Sequence, residues 1–114
     1  MDALLTVAET PEYQRRAERL LSSTEQTGVV EYLAANPRTG DLIKGTGGVR
    51  KLRWARGGRG KSGGVRVIYY FHSEAMPLYL LTVFGKNEKA DLSRAERNEL
   101  AALTRVLKDA VEMR

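Results

Sequence analysis

VRKLRWARGGRGKSGGVRVIYY, residues 49–70, sets two β-patterned segments on either side of a glycine-rich run. Within it, ARGGRGKS (residues 55–62) fits the loose form of a nucleotide-binding P-loop. A P-loop works because its turn runs straight into a helix whose N-terminal amides face the phosphates. Here Lys61 is followed by SGGVRVIYY, two further glycines and then a strand pattern. No later apolar strand ends in the aspartate that would hold magnesium, since LYLLTVFGK ends in Lys86. GTGGVR (45–50) fails as a dinucleotide fingerprint because Arg50 stands where the third glycine belongs. The run GGRGKSGG therefore reads as a mobile hairpin connection, using glycine for backbone angles other residues resist.

That reading makes VRKLRWA (49–55) and VRVIYYFH (65–72) antiparallel neighbours, with PLYLLTVFGK as the next strand after the short turn SEAM. Side chains alternate along a strand, so Lys51 and Arg53 share one face while Leu52 and Trp54 take the other, toward the core. The following strand divides into Val65, Val67, Tyr69 and Phe71 against Arg66, Ile68, Tyr70 and His72. If Arg66 joins the face of Lys51 and Arg53, three cations gather over two neighbouring strands, and Lys86 extends the cluster.

Working outward, ALLTV (3–7) predicts a short first strand, and Thr10 with Pro11 predicts a helix start. Ser22 and Glu25 have capping-box spacing for a second helix that ends at Asn36-Pro37. A short extended piece is expected at Leu42-Ile43. Ser93 and Glu96 open a final helix whose Leu100, Leu103, Leu107 and Ala110 form one apolar stripe, for the sheet or for a partner. The order β-α-α-β-β-β-α is that of a small α+β domain, its sheet mainly antiparallel and packed against helices, spanning residues 1–114 without repeat or linker.

Composition narrows the chemistry. With 42% hydrophobic and 29% charged residues the 114-residue chain can bury a core. It has no cysteine and one histidine, His72, which excludes disulfides and leaves a zinc site almost without ligands. No apolar run approaches the roughly 18 residues of a membrane span, so a cytoplasmic, metal-free and cofactor-free domain is expected. From Leu42 to Ser73 there are eight basic residues and no acidic one, which leaves the rest of the chain at −3 against an overall +5. One basic segment on a mildly acidic body points to a polyanion, most often nucleic acid.

Such cations suit chemistry on RNA. When a ribose 2′-OH attacks the adjacent phosphate, charge builds on the phosphorane oxygens, and Arg or Lys placed there stabilises the transition state more than the ground state. Arg offers a planar fork for phosphate oxygens, and a Lys among other cations can serve as a base. His72 is the other acid–base candidate.

NPRTGDLIKGTGGVRKLRWARGGRGKSGGVRVIYY (36–70) and LLTVFGKNEKADLSRAERNEL (80–100) resemble the HigB-type branch of the RelE/ParE toxin superfamily, over nearly the whole chain. The resemblance implies a RelE-like, microbial-RNase-type fold and a ribosome-dependent mRNA endoribonuclease. It also implies neutralisation by a small antitoxin, often a helix-turn-helix protein that represses the operon and so links the toxin to operator DNA. On this pattern the strand motif K-x-K falls on Lys51 and Arg53, G-x-R on Gly64 and Arg66, and GKR on Gly85, Lys86 and Asn87. Lys51, Arg66 and Lys86 are then the catalytic candidates, and Arg50, Arg53, Arg56, Arg59, Lys61 and Asn87 the RNA-binding ones. The pattern's last arginine is Asn87 here, and its C-terminal tyrosine has no counterpart, as no Tyr follows Tyr79. The general acid and base stay open among Lys51, His72 and Lys86. Two other functions use the same fold or cations: a non-catalytic RNA- or ribosome-binding module, and a gyrase-directed ParE-like toxin.

Overall fold

The computed structural model describes residues 5–55 and 64–113. Its elements run β1 (Val7–Glu9), α1 (Pro11–Leu20), α2 (Ser23–Ala35), β2 (Asp41–Leu42), β3 (Val49–Trp54), β4 (Val65–Tyr70), β5 (Leu78–Gly85) and α3 (Arg94–Glu112). The strands form one sheet in the order β1-β5-β4-β3-β2. All neighbours are antiparallel except β1, which lies parallel to β5 with Val7 beside Leu78. The α+β expectation holds.

Local chemistry sets each helix. Thr10 caps α1 by accepting from the Tyr13 amide, with Pro11 in the first turn where no amide hydrogen is needed. Thr10 also donates its hydroxyl to the Leu81 carbonyl, tying the helix start to β5. Tyr13 and Ala17, one turn apart, are buried together with Leu21, while the charged residues of α1 stay in water. Ser22 and Glu25 form the expected capping box of α2, and Val29 and Leu33 are its buried pair. Gly28 lies mid-helix because α2 passes close to β3: a Cβ there would stand 3.3 Å from the Trp54 ring. Tyr32 meets the same indole edge-on, ring centres 5.9 Å apart.

The sheet separates two cores. On one side α1 and α2 cover Leu52, Val65, Val67, Tyr69, Phe71, Leu78, Leu80 and Val83. On the other, α3 covers Val49, Ile68, Tyr70, Leu81 and Phe84. Each such side chain fully buried contributes about 1.5–3 kcal/mol. The predicted division of β4 is borne out, with Val65, Val67, Tyr69 and Phe71 in the first core and Ile68 and Tyr70 in the second. A bulge between Ile68 and Tyr69 shifts the register with β5, so that Leu80 and Leu81 are both buried, one in each core.

Three expectations need correction. Among the described residues the first strand is Val7–Glu9, set by its distant partner β5, where the sequence predicts residues 3–7; residues 3 and 4 of that span lie outside the described residues. The extended piece lies at Asp41–Leu42, where it pairs with Arg50 and Lys51. The α3 stripe is also different: Leu100 and Leu107 face the sheet, but their companions are Thr104 and Val111. Leu103, 38% exposed, and Ala110 turn outward. Thr104 takes the inner position because its hydroxyl has a buried acceptor, the Thr46 carbonyl at 2.9 Å.

Candidate RNA-binding groove

The second face of the sheet changes character along its length. Its apolar rungs, Val49 beside Tyr70 and Ile68 with Phe84 nearby, are buried under α3. Toward the 55–64 connection the same face carries Lys51 beside Ile68, then Arg53 directly opposite Arg66. Lys51 and Arg66 are therefore diagonal neighbours on one face, about 7–8 Å apart at the backbone. Lys51 and Arg66 are half-buried and Arg53 is exposed. The alternation expected from the sequence thus places all three cations together.

A groove of about 470 Å³ opens at this place, lined by Asp41, Lys44, Lys51, Arg53, Asp91 and Arg97 together with Leu42 and Ile43. The β2 strand contributes Asp41 opposite Lys51, and the turn before α3 contributes Asp91. Lys51 Nζ donates to Asp91 Oδ2 at 3.3 Å, and the Leu92 amide donates to Asp91 Oδ1 at 2.8 Å. Partial burial pushes the Asp91 carboxyl upward, but the Leu92 amide, the Lys51 ammonium and the Arg97 charge outweigh it and hold the group below its ordinary value. Arg66 turns one guanidinium nitrogen back to the Val65 carbonyl at 3.4 Å.

Other candidate residues sit elsewhere. Arg50, between Val49 and Lys51, projects from the opposite face, where its Nη1 donates to the carbonyls of Arg38 (3.0 Å) and Gly40 (2.8 Å). Its guanidinium is engaged in holding a loop. His72 lies six residues after Arg66, two past the end of β4, about 20 Å away in an extended chain. It stacks on Tyr70 and faces Glu112 at 3.8 Å, at the far end of α3. Lys86 and Asn87 are exposed just past β5, where the Lys86 amide donates to the Gly64 carbonyl and continues the ladder by one rung. Arg56, Arg59 and Lys61, and with them the expected GGRGKSGG connection up to Gly63, lie outside the described residues. The strands that flank this segment are antiparallel, with Trp54 beside Val65, so the described chain after Lys61 and Ser62 is a strand where a P-loop requires a helix.

Sequence reasoning passed over Asp41, Asp91 and Arg97. The spacing of Lys51 and Asp91, forty residues apart in the chain, carries no local pattern. One signal existed: ADLS places an acid two residues before a helix cap, where a buried Leu92 would fix its direction. Among the described residues no group of three or more His, Cys, Asp or Glu side chains is placed to hold a metal ion, and no helix is long and apolar enough to cross a membrane.

A solved structure agrees with this architecture. The free-state structure of a double arginine-to-alanine mutant of the Escherichia coli toxin RelE superposes with a TM-score of 0.57 at 15% identity, covering 91% of this chain and 99% of that one. At that identity the likeness is one of fold. The solution structure of HP0894, a conserved hypothetical protein from Helicobacter pylori, aligns over 74% of this chain and 97% of its own at 15% identity, with a TM-score of 0.32. The family model described as RelE toxin of the RelE / RelB toxin-antitoxin system matches residues 7–114, from β1 through α3. The chain belongs to the RelE toxin family.

Proposed function

We propose that this protein is the toxin of a type II toxin–antitoxin pair, of the HigB-type branch, and that it cleaves mRNA on the ribosome in the cytoplasm. The observation that carries this reading is the shared face of Lys51, Arg53 and Arg66 beside an open groove. Like charges placed this close weaken a sheet unless an anion lies between them.

In the proposed reaction the ribose 2′-oxygen bonds to the adjacent phosphorus as the bond to the 5′-oxygen breaks. A base takes the 2′-hydroxyl proton and an acid protonates the leaving 5′-oxygen. Arg66 stabilises charge on the phosphorane, with Lys51 and Lys86 supplying charge or proton transfer. Arg53 holds the RNA backbone, joined by Arg56, Arg59 and Lys61 from the connection and by Asn87 after β5. His72, at the other end of β4, is the less favoured acid–base group. The groups named are the chain's own, and no cofactor enters the scheme. A small antitoxin, of helix-turn-helix type in this proposal, neutralises the toxin and links it to operator DNA.

Primer extension on translating ribosomes tests the reading. Wild-type protein should produce new mRNA ends, and Arg66→Ala with Lys51→Ala should abolish them. Salt-sensitive RNA binding without any cleaved product would instead identify a non-catalytic binding module.

A further inference from the structure

We propose that Asp91 is the positioning residue of the groove: its carboxylate holds the Lys51 ammonium where an RNA phosphate enters, favouring turnover at some cost in binding. This rests on the groove being the RNA-cleaving site described above.

Asp91 is held unusually firmly for a half-exposed side chain. The next residue, Leu92, is only 4% exposed and anchors in the core beneath α3. The residue after that, Ser93, caps α3 in a reciprocal box with Glu96. Arg97 Nη1 donates to the Leu92 carbonyl at 3.3 Å, which brings the helix cation to the same corner. The backbone behind Asp91 is thus fixed on both sides. One carboxylate oxygen is taken by the Leu92 amide and the other by Lys51.

Stability does not account for the pair. The Lys51 side chain is 17% exposed, but that of Asp91 is 50% exposed, so water screens the carboxylate and the pair contributes little by itself. For binding RNA it is a disadvantage, since a negative charge lines the groove with Asp41 already present. Nor is it suited to be the base, because both oxygens are occupied and its charged form is favoured by Leu92, Lys51 and Arg97. What the carboxylate can do is restrict Lys51. A lysine stem has many rotamers, and a fixed partner confines its ammonium to one side of the groove. Among the described residues, the other charged groups lining the groove with Asp91 are Asp41, Lys44, Arg53 and Arg97, and of these Arg97 acts on its carboxylate.

The test compares Asp91→Asn, Asp91→Glu and Asp91→Ala in ribosomes programmed with a defined mRNA, reading kcat and KM separately. Asp91→Asn should lower kcat about 10- to 100-fold through misplacement of Lys51. It should lower KM by roughly two- to fivefold, as one screened negative charge leaves a phosphate groove. Asp91→Glu should recover much of kcat, and Asp91→Ala none. A merely structural residue would worsen both constants together, and that result, or an unchanged kcat in Asp91→Asn, overturns the proposal. A second measurement stands apart from cleavage: carbon-detected NMR titration of the Asp91 carboxyl in wild type and Lys51→Met. The midpoint should rise in Lys51→Met; an unmoved midpoint overturns the proposal even if the protein cleaves RNA. If wild type cleaves nothing while the midpoint moves, the cleavage reading fails and the hold of Asp91 on Lys51 stands.

Discussion

Arg53 and Arg66 stand directly opposite each other across the β3–β4 ladder, with Lys51 diagonal to Arg66. Like charges in opposite positions destabilise a strand pair, so the fold is weaker here than an uncharged pair would make it. Replacing Arg53 or Arg66 by Gln should therefore stabilise the protein by about 0.2–1 kcal/mol. Urea denaturation at low salt will measure the gain, which should shrink as salt screens the pair. Arg66→Gln should at the same time cut cleavage by about 10²–10³. A loss of stability in both variants would mean that the guanidinium stems matter more for packing than for charge.

Arg50 and Arg53 are three residues apart on one strand and should behave oppositely. Arg50 donates to the Arg38 and Gly40 carbonyls, and its Nε is buried without a partner among the described residues. Arg50→Met should cost about 1–3 kcal/mol by leaving loop carbonyls unpaired, without altering the salt dependence of RNA binding. Arg53→Met should leave stability intact or raised and reduce the slope of log affinity against log salt by about one. Binding titrations at several salt concentrations, with unfolding curves for both variants, decide between these roles.

What could be read in the sequence is what local rules govern. The capping pairs Ser22–Glu25 and Ser93–Glu96 act within one turn of their own backbone, and both appear as expected. Alternation puts Lys51 and Arg53 on one face of β3 and Arg66 on one face of β4, and the observed register, Arg53 opposite Arg66, brings the two faces together. The parts that were not legible depend on distant partners. β1 lies where β5 accepts it, and Thr104 turns inward because a carbonyl from the loop before β3 waits for its hydroxyl. Arg50 looks like one more cation in a basic run, yet it points to the other face and its guanidinium is bonded to the Arg38 and Gly40 carbonyls. Asp91 has only its place before the α3 cap to mark it until Lys51 is brought beside it.

Alkaline stability should depend on Tyr13. Its ring is fully buried and its hydroxyl has no partner among the described residues. Burial, with a smaller push from the Glu9 carboxylate, raises its pKa from 10.0 to about 12. The folded protein thus resists ionisation that the unfolded chain undergoes near pH 10. The linked stability is complete below that pH and is lost as pH climbs toward 12, amounting to about 2–3 kcal/mol. Tyr69 and Tyr70 are raised mainly by burial as well and act in the same direction. Tyr13→Phe should therefore flatten the stability curve above pH 10 in part, and raise stability at pH 7 by about 1 kcal/mol as an unpartnered buried hydroxyl is removed. An identical alkaline slope in wild type and Tyr13→Phe would contradict this assignment.

The entry to β3 depends on a contact between Gly47 and Thr104. Gly47 has φ +76°, a backbone state that favours glycine, and a Cβ there would lie 2.8 Å from Thr104 Oγ1. The same hydroxyl donates to the Thr46 carbonyl, while Thr46 Oγ1 donates to the Ile43 carbonyl and accepts from the Val49 amide. These bonds hold the turn that delivers Val49, and two residues later Lys51, to the sheet. Gly47→Ala combines backbone strain with a clash and should cost about 2–3 kcal/mol. Thr104→Ala removes a buried hydrogen bond and should cost about 1–2 kcal/mol. Because it also removes the atom that a Cβ at Gly47 would strike, the double variant should be about 1 kcal/mol more stable than the sum of the two predicts. Strict additivity in urea unfolding would assign the Gly47 effect to backbone angle alone. A coupled result would show that α3 sets the close approach that places the cationic strand.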